Sequence, residues 1–564
     1  MSDQTRGIVF VVLVIAVTFI WMHYFQPPVQ PQKPAPSAVQ TAPAQSGSSK
    51  PVPETTVPAA PASRVIVKPV RAQAETNLVV ESGVYRIELS NRGGVVRSWE
   101  LKKYLDEETP PRPLDLVNPD AAQELGWPFS IGLADKQLEA EANSALYEVT
   151  PSTESAAAPV EVTFHWSDGH LDVTKKLNFT QDYQLSVEVA ATFDGKPLPA
   201  SIAWRGGFGD RAAYREAQYV TPIFKQNGKL ETLPFKKLGT PGNQIEPLEL
   251  AGPMEYAGIE DQFFAAVFIP DGTDISLWDW QQWHHSAANG QAVSEPQAEM
   301  ALGAMTPGPL KLRAYVGPKD LTTLGKVHPS LEELVQFGWF GMISKPLLFI
   351  LEWMHRYVPN YGWTIVIFTL LLTMLLLPIR IWTFHSARKM QMVAPEVKSI
   401  QDRYKKYSMS DPRKRKMNEE VMAVYQREGI NPLGSCLPML VQIPVIWAFY
   451  RMLNGAIALR HAPWIWWIHD LSAKDPYYVL PVLMVITSYF MTKMTPTPTA
   501  TADPAQQKMM MLMPVFMGVI FFNLSSGLNL YYFTSNLIGV VQQWYLNRSQ
   551  PLPSRSKFKG KKKE

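Results

Sequence analysis

The sequence predicts a polytopic α-helical membrane protein that carries a large outer domain built as an antiparallel β-sandwich. Several apolar runs have the length of about 20 residues that a helix needs to cross a bilayer. Between the first and second runs, a stretch of about 240 residues shows short alternating strands separated by turn residues such as Asp168-Gly169 and Asp194-Gly195. These two patterns divide the chain into a membrane part and an outer part.

The charge distribution indicates which segments lie inside. Residues 26–340 contain 26 Lys and Arg against 38 Asp and Glu, whereas residues 384–430 contain 11 against 6 and residues 547–564 contain 7 against 1. Basic loops of membrane proteins stay in the cytoplasm, so the two basic segments are predicted to be cytoplasmic and the acidic one outside. The single cysteine, Cys436, excludes a disulfide within the chain, so the outer domain must be held by its own core.

The first apolar run, 7–25, is predicted to be a retained signal anchor and thus the first transmembrane helix. Gln26-Pro27-Pro28 follows it in place of a small-residue cleavage site, although a cleaved signal peptide remains the alternative. Residues 26–74 are rich in Pro, Ala, Gln and Ser and are predicted to be a flexible linker. Residues 75–328 form the predicted β-sandwich.

The outer domain contains a cluster that resembles enzyme chemistry, Trp278–His285. Tryptophans beside a carboxylate and two histidines could stack on and bind a sugar. No paired carboxylates and no metal-ligand spacing accompany them, so we prefer a strand edge with half-buried aromatic side chains. We therefore expect no catalytic residues, no metal and no cofactor.

The remaining segments alternate between membrane and water. Residues 329–358 are predicted to form helices in the outer interface, with a packed helix of the outer domain as the alternative. Five further crossings are predicted at 361–384, 431–454, 477–494, 509–525 and 528–546. They are joined by a cytoplasmic helical hairpin at 385–430, an outer loop at 455–476 and a cytoplasmic loop at 495–508, and a basic tail follows at 547–564. Six crossings place both termini in the cytoplasm.

Polar side chains within the apolar runs suggest a hydrophilic cavity, because such groups at membrane depth usually face a bundle interior or water. They are Thr369, Thr373 and Arg380 on one face of the second crossing, Gln442 in the third, and Asn529, Tyr532, Asn536 and Gln543 along the last. The alternative is that they only bond helices to one another. Arg380 lies about 26 Å along the helix from Trp363, so its default role is an anchor at the inner edge.

The hairpin carries a basic run, Arg413, Lys414, Arg415 and Lys416. Such a run could contact anionic lipid or RNA, but a solvated positive face is the simpler interpretation.

Several motifs, in order along the chain, resemble those of the YidC-type membrane protein insertases. They are Asn431-Pro432-Leu433-Gly434, Cys436-Leu437-Pro438, Gln442-Ile443-Pro444, Trp467–Leu471, Asp475–Pro481 and Ser526-Gly527-Leu528 with Tyr531-Tyr532. The resemblance is close over 361–546. The outer domain and the leading anchor are similar, more loosely, to the Gram-negative form with a large periplasmic domain.

The resemblance implies a five-helix insertase core in the bacterial inner membrane, around a groove open to the cytoplasm and to lipid. A hydrophilic stretch of a nascent membrane protein would enter the groove while its apolar segment slides into lipid, without ATP, a cofactor or a small-molecule substrate. Thr369 and Tyr532 would correspond to groove positions that meet the client. The hairpin and the tail, with Lys561, Lys562 and Lys563, would receive client and ribosome. Further implied partners are the Sec translocon, near which the periplasmic domain would dock, and membrane lipids.

The chain departs from the family pattern at one position. The family places an arginine five residues before the proline of the second crossing, here Pro378, and this chain has Thr373 there. We expect Arg380, on the same face and two turns nearer the cytoplasm, to substitute in part. A groove that works by polarity alone is the alternative.

Two other classes of function compete with an insertase. A transporter would use the same cavity for a small polar substrate, but the sequence shows neither an inverted repeat nor an intramembrane carboxylate. An envelope glycan enzyme would place its activity in the outer domain.

Overall fold

The computed structural model describes residues 68–106, 110–208, 220–232, 248–272, 275–288, 291–407, 411–429, 437–495 and 504–549. The predicted anchor, most of the predicted linker and the basic tail beyond Ser549 lie outside these ranges. The chain divides into two compact units, of which the β-rich unit ends at Glu332 and the helical unit resumes at Glu333.

The β-rich unit builds three sheets. Its strands are β1 (Asn77–Glu81), β2 (Tyr85–Ser90), β3 (Val95–Leu105), β4 (Pro113–Asp115), β5 (Ser130–Gly132), β6 (Glu148–Thr150), β7 (Ser155–Ala157), β8 (Val160–Ser167), β9 (Leu171–Phe179), β10 (Gln184–Phe193), β11 (Lys196–Leu198), β12 (Ser201–Trp204), β13 (Thr221–Gln226), β14 (Lys229–Thr232), β15 (Leu248–Ala251), β16 (Met254–Glu260), β17 (Phe264–Pro270), β18 (Ile275–Ala288), β19 (Gln291–Ala304) and β20 (Leu310–Pro318). Its helices are α1 (Pro119–Leu125), α2 (Lys136–Ser144) and α3 (Leu321–Val327).

The strand order is β4-β3-β2-β1-β7 in the first sheet and β15-β18-β19-β12-β5 in the third. In the second sheet it is β14-β13-β16-β17-β20-β10-β9-β8-β6, with β11 paired to β10. Neighbouring described strands are antiparallel apart from β1 and β7, which run parallel. The sequence therefore predicted the β-rich outer part, while the parallel β1–β7 pair is a local exception to antiparallel pairing.

The three sheets share an aromatic core around Trp99 of β3. The Trp99 ring centroid lies 6.2 Å from that of Phe129, 6.4 Å from that of Phe179 in β9 and 6.3 Å from that of Trp204 in β12. All four side chains are almost completely buried. Large aromatic side chains bury much apolar area, so this cluster supplies the core that a domain without disulfides needs.

Lys175 is a buried charge in this core. Its Nζ donates to the carbonyl oxygens of Gly93 (2.7 Å), Phe129 (3.0 Å) and Gly94 (3.2 Å). Gly93 and Gly94 have φ values of 74° and 56°, which glycine adopts without strain. No carboxylate neutralises Lys175 in the described part of the chain, and burial lowers the pKa of its amine to about 7.

The helical unit contains eight described α-helices. They are α4 (Gly341–His355), α5 (Tyr361–Leu375), α6 (Leu377–Arg403), α7 (Pro412–Arg427), α8 (Leu437–Gly455), α9 (Val479–Met494), α10 (Pro504–Phe521) and α11 (Ser526–Ser549). Short 3₁₀ helices cover Pro329–Leu334, Gly338–Phe340 and Ile457–Leu459. Within the predicted interfacial segment, α4 begins at Gly341 and contains Pro346.

The predicted second crossing is broken. Helices α5 and α6 meet at Leu376 with a bend of 54°, and α6 continues through the predicted boundary at residue 384 as far as Arg403. Pro378 causes part of this bend, because proline has no N–H to donate to the preceding turn. The hydroxyls of Thr369 and Thr373 also donate to carbonyls of their own helix, an arrangement that favours bending.

No described helix alone combines the length and the hydropathy of a membrane crossing. Helices α5 and α6 meet these criteria together as a bent pair, and α9 and residues Met511–Phe521 of α10 are shorter apolar helices.

Helices α6 and α7 form an antiparallel hairpin with its own apolar core. That core consists of Met390, Val393, Val397, Ile400 and Val424, with Tyr404, Met417, Val421 and Tyr425 packed against it. Ion pairs join the two helices, from Arg403 to Glu420 (2.8 Å) and from Arg427 to Glu396 (2.7 Å). These pairs are exposed and add little stability, so the apolar stripe mainly holds the hairpin together.

Candidate functional site

An aromatic layer crosses the helical bundle. Phe368 of α5 lies 5.4 Å from Phe449 of α8, and Phe449 stacks on Tyr531 of α11 at 4.2 Å. Tyr531 contacts Tyr532 at 5.2 Å, and Tyr532 meets Phe521 of α10 edge to face at 4.6 Å. The sequence placed Tyr532 in a polar stripe, and the structure surrounds its ring with aromatic neighbours. This layer ties four helices together.

Thr369 and Thr373 follow Phe368 along α5 and are both buried. The Thr369 hydroxyl donates to the Ile365 carbonyl and the Thr373 hydroxyl to the Thr369 carbonyl, each at 2.6 Å. Both hydroxyl protons are therefore used within the helix. What the two side chains offer a neighbour is mainly the hydroxyl oxygen as an acceptor.

Arg380 of α6 lies against α11. Its Nη1 donates to the side-chain oxygen of Gln542 at 3.1 Å, and a Cβ added at Gly539 would come within 3.2 Å of the same nitrogen. Gly539 thus gives the guanidinium room to approach the helix backbone. In the described part of the chain no carboxylate pairs with Arg380, so its positive charge is not neutralised.

Asn536 lies one turn above Gly539 on α11. Its Nδ2 donates to the hydroxyl of Ser488 in α9 at 2.6 Å. Helix α11 therefore contacts Arg380 of α6 through Gln542 and Ser488 of α9 through Asn536. We call Arg380, Ser488, Asn536 and Gln542 the polar strip.

The sequence interpretation missed Ser488 and Gln542. Residues 536, 539 and 542 recur every three positions, which is the spacing that could have identified Gln542. Ser488 belongs to the short polar stretch Thr487-Ser488 of α9, which the sequence interpretation did not include.

Asn529, the first residue of the predicted stripe, lies at the turn between α10 and α11. It is fully buried, and its Nδ2 donates to the carbonyls of Phe521 (3.1 Å), Leu524 (3.1 Å) and Ser525 (3.2 Å). These carbonyls belong to the end of α10 and to the turn that leads into α11, so Asn529 holds this turn together. Along α11, Asn529 precedes Tyr531 and Tyr532 of the aromatic layer, whereas Gly539, which lies beside Arg380, follows them. The Gln442 side chain lies outside the description.

Asp475 fastens the loop between α8 and α9, which the sequence predicts to be an outer loop. This buried carboxylate accepts from the Leu480 N–H (2.7 Å), the Tyr477 N–H (3.0 Å) and the Trp467 indole (3.0 Å). Asn360 fastens the same loop to α5, since its Nδ2 donates to the carbonyls of Pro463 and Trp464. These bonds close the bundle at the end opposite the hairpin.

At the far tip of the hairpin, the predicted basic run opens α7. The Arg413 guanidinium lies 4.6 Å from the Tyr407 ring and 3.9 Å from Asp411. Arg415 and Lys416 are exposed and Lys414 is partly so. Lys561, Lys562 and Lys563 of the predicted contact region lie outside the described residues.

The cluster Trp278–His285 of the outer domain lies within β18. Only its first two residues also pair with β15, in the register Trp278 with Glu249 and Asp279 with Leu248. Beyond them β18 pairs with β19 alone among the described strands. The side chains of this cluster lie outside the description, so the choice between a sugar site and a strand edge stays open.

The bundle exposes large apolar side chains around a half-buried polar strip and is accompanied by a separate β-rich unit. This combination defines the class of a helical membrane protein with an attached β domain. The family model described as "60Kd inner membrane protein" matches residues 353–553, and the model of the "YidC periplasmic domain" matches residues 77–350.

The chain is 31% identical to the membrane protein insertase YidC of Methylobacillus flagellatus, over 97% of both chains. It is 32% identical to that of Geobacter metallireducens, over 97% of this chain and 98% of the relative. A crystal structure of an active YidC insertase aligns over 85% of this chain and 95% of its own at 16% identity, with a TM-score of 0.35. On the sequence matches, the chain belongs to the YidC family of membrane protein insertases.

Proposed function

We propose that this protein inserts nascent integral membrane proteins into the bacterial inner membrane and helps them fold, alone or with the Sec translocon. The activity named for its relatives supports this proposal. The observation that carries it is the Arg380 guanidinium, which bonds Gln542 and has no carboxylate partner among the described residues, in a bundle that exposes large apolar side chains.

The proposed mechanism uses polarity to lower a barrier. A charged residue at the centre of a lipid-embedded helix costs about 3 kcal/mol on insertion scales. A hydrophilic stretch of the client that moves along the polar strip keeps hydrogen-bond partners, so it avoids part of this cost. The apolar segment of the client then leaves for lipid, driven by burial of its apolar surface.

The proposed groove comprises Thr369, Thr373, Arg380, Gln442, Asn529, Tyr532 and Asn536. Arg380 supplies the positive charge that the family pattern would place at Thr373. Its position beside Gly539 supports this assignment, because a small residue there lets the guanidinium turn towards α11 instead of extending towards water.

The proposed topology has six crossings with both termini in the cytoplasm and the β-rich domain in the periplasm. Helix α4 lies in the outer interface in this arrangement. Its exposed side chains support that placement, since Met342 is 89% and Phe349 67% exposed while Ser344 and Leu351 on the other face are buried. An exposed apolar face of this kind suits the boundary between headgroups and acyl chains.

The proposed partners meet the protein on both sides. The largely exposed run Arg413–Lys416 and the tail residues Lys561, Lys562 and Lys563 would contact the client and the ribosome, whose RNA is negatively charged. The periplasmic domain would dock near the Sec translocon.

Site-specific photo-crosslinking from Thr373, Tyr532 and Gln442 to a stalled nascent membrane protein tests the groove. We expect crosslinks from all three positions to the hydrophilic stretch of the client. A probe at Val519, which is 62% exposed on α10, is the control and should reach only the apolar segment. A folded protein that gives no crosslink from the three groove positions would show that these residues only pack the bundle.

A further inference from the structure

Helices α9 and α11 end close together beside the interior of α6, around Asn547. Its side-chain oxygen accepts from the Arg388 Nη2 of α6 at 3.3 Å and from the Gln543 Nε2 at 3.2 Å. Its Nδ2 donates to the carbonyl of Met494, the last residue of α9, at 3.0 Å. Asn547 therefore joins α6, α9 and α11.

Each of these helices carries a cation in or next to this contact, of which Arg388 is half-buried and the other two are exposed. Arg388 is bonded to Asn547, Lys493 precedes Met494, and Arg548 follows Asn547. We call Arg388, Lys493 and Arg548 the basic junction. Among the described residues, no carboxylate pairs with any of the three, and the buried Arg388 Nε has no hydrogen-bond partner.

Three cations on neighbouring helices, without carboxylate partners among the described residues, attract an anion. A buried guanidinium N–H without a partner also costs free energy. The basic junction therefore has the donors and the charge for a phosphate group, whose geometry guanidinium groups match well.

The surroundings of the basic junction indicate where that phosphate comes from. Trp544 is 52% exposed and Tyr545 is 64% exposed, and the Arg548 guanidinium lies 5.6 Å from the Trp544 ring. Exposed Trp and Tyr beside basic residues are typical of the level of the lipid headgroups. Residues 388 and 548 also lie just beyond the inner ends of the crossings predicted at 361–384 and 528–546.

We propose that the basic junction binds the phosphate headgroup of an anionic phospholipid of the inner leaflet. Arg388 bonds the phosphate oxygens through its guanidinium group, Asn547 orients Arg388, and Lys493 and Arg548 add charge. The acyl chains lie along the exposed apolar surface of α11. Basic pockets between membrane helices on the cytoplasmic side hold lipid headgroups in this way.

This inference rests on the proposed membrane topology but not on insertion activity. The test uses the full-length protein in neutral detergent micelles, with native mass spectrometry to follow binding of phosphatidylglycerol, phosphatidylcholine or inorganic phosphate. We expect tight binding of the first phosphatidylglycerol molecule, and no comparable binding of the other two.

Arg388→Gln should weaken that first binding step about fivefold, the effect of removing a single cation near a lipid surface. Lys389→Gln removes the same charge from the exposed neighbouring position and should leave the step unchanged. Asn547→Ala, which keeps all three cations, should weaken binding to an intermediate extent.

Equal binding by wild-type protein and Arg388→Gln would overturn the proposal, as would equal weakening by Lys389→Gln. So would binding of inorganic phosphate as tightly as the lipid. If lipid binding behaves as expected but the reconstituted wild-type protein inserts no client, only the proposed function fails. If insertion proceeds and lipid binding does not depend on Arg388, only this inference fails.

Discussion

The ring of Phe449 lies parallel to that of Tyr531, with an interplanar angle of 11° and a centroid separation of 4.2 Å. The two residues belong to α8 and α11, and both are almost completely buried. Because Phe368 and Tyr532 extend the contact on either side, this pair is the centre of the aromatic layer.

Phe449→Ala should destabilise the bundle by about 3 kcal/mol, because it leaves a cavity at the centre of that layer. Chemical denaturation of the detergent-solubilised protein measures the change. Phe516→Ala alters a side chain of α10 that is mostly exposed and should cost less than about 0.5 kcal/mol. Similar losses from both variants would mean that the layer has no special role in stability.

Arg380→Gln should reduce insertion of a client with an acidic translocated tail about fivefold, the effect of losing an attraction of ~1 kcal/mol. Insertion of the same client with a neutral tail should change little, since no charge pair is lost. Insertion into vesicles that contain purified protein gives both rates. Lys398→Gln, an exposed change on the same helix, is the control. Equal loss for both tails would contradict an electrostatic role for Arg380.

Lys175 should make the periplasmic domain more stable as pH rises from about 7 towards 10. The pKa of the buried amine is about 7, below its ordinary value of 10.5, so in this range the unfolded chain binds the additional proton. Below pH 7 both states are protonated and the contribution of Lys175 is constant. The slope attributable to one such group is at most about 1.4 kcal/mol per pH unit.

Calorimetry of the full-length protein across this pH range measures the slope for the domain transition. Lys175→Met should abolish the contribution of this residue, whereas Lys176→Met, at the exposed neighbouring position, should keep it. An unchanged slope in Lys175→Met would assign the pH dependence to other groups.

Asp475→Ala should destabilise the outer loop by about 1–3 kcal/mol, because it removes the acceptor of three N–H groups. Trp467→Phe removes only the indole donor and should cost less. Hydrogen exchange of the amides of Tyr477 and Leu480 reports the effect, with faster exchange expected in Asp475→Ala. Unchanged exchange would mean that the loop is held mainly by its other contacts.

Patterns local in the chain predicted the secondary structure best. The apolar stripe Val393, Val397, Ile400 and Tyr404, and its counterpart Met417, Val421 and Val424, are periodic within one helix each, and the structure packs them together. The bend at Leu376 was harder to predict from the sequence, because a proline beside apolar residues also fits a continuous crossing.

The partners of the polar residues could not be predicted from periodicity. Arg380 and Gln542 are 162 positions apart, and their hydrogen bond depends on how α6 packs against α11. Tyr532 was assigned by its hydroxyl to a polar stripe, but packing determined that aromatic rings surround it. No sequence pattern singles out Lys175, and only the fold shows that it bonds three carbonyls.

Because of the 54° bend between α5 and α6, the far end of α6 is displaced sideways from the α5 axis. With 27 residues, α6 is about 40 Å long, so the bend carries its far end on the order of 30 Å away from the line of α5. The hairpin core and the basic run at its tip therefore lie to one side of the α5 axis, and not on the continuation of that axis. Removing the bend would swing the hairpin without altering any of its internal contacts.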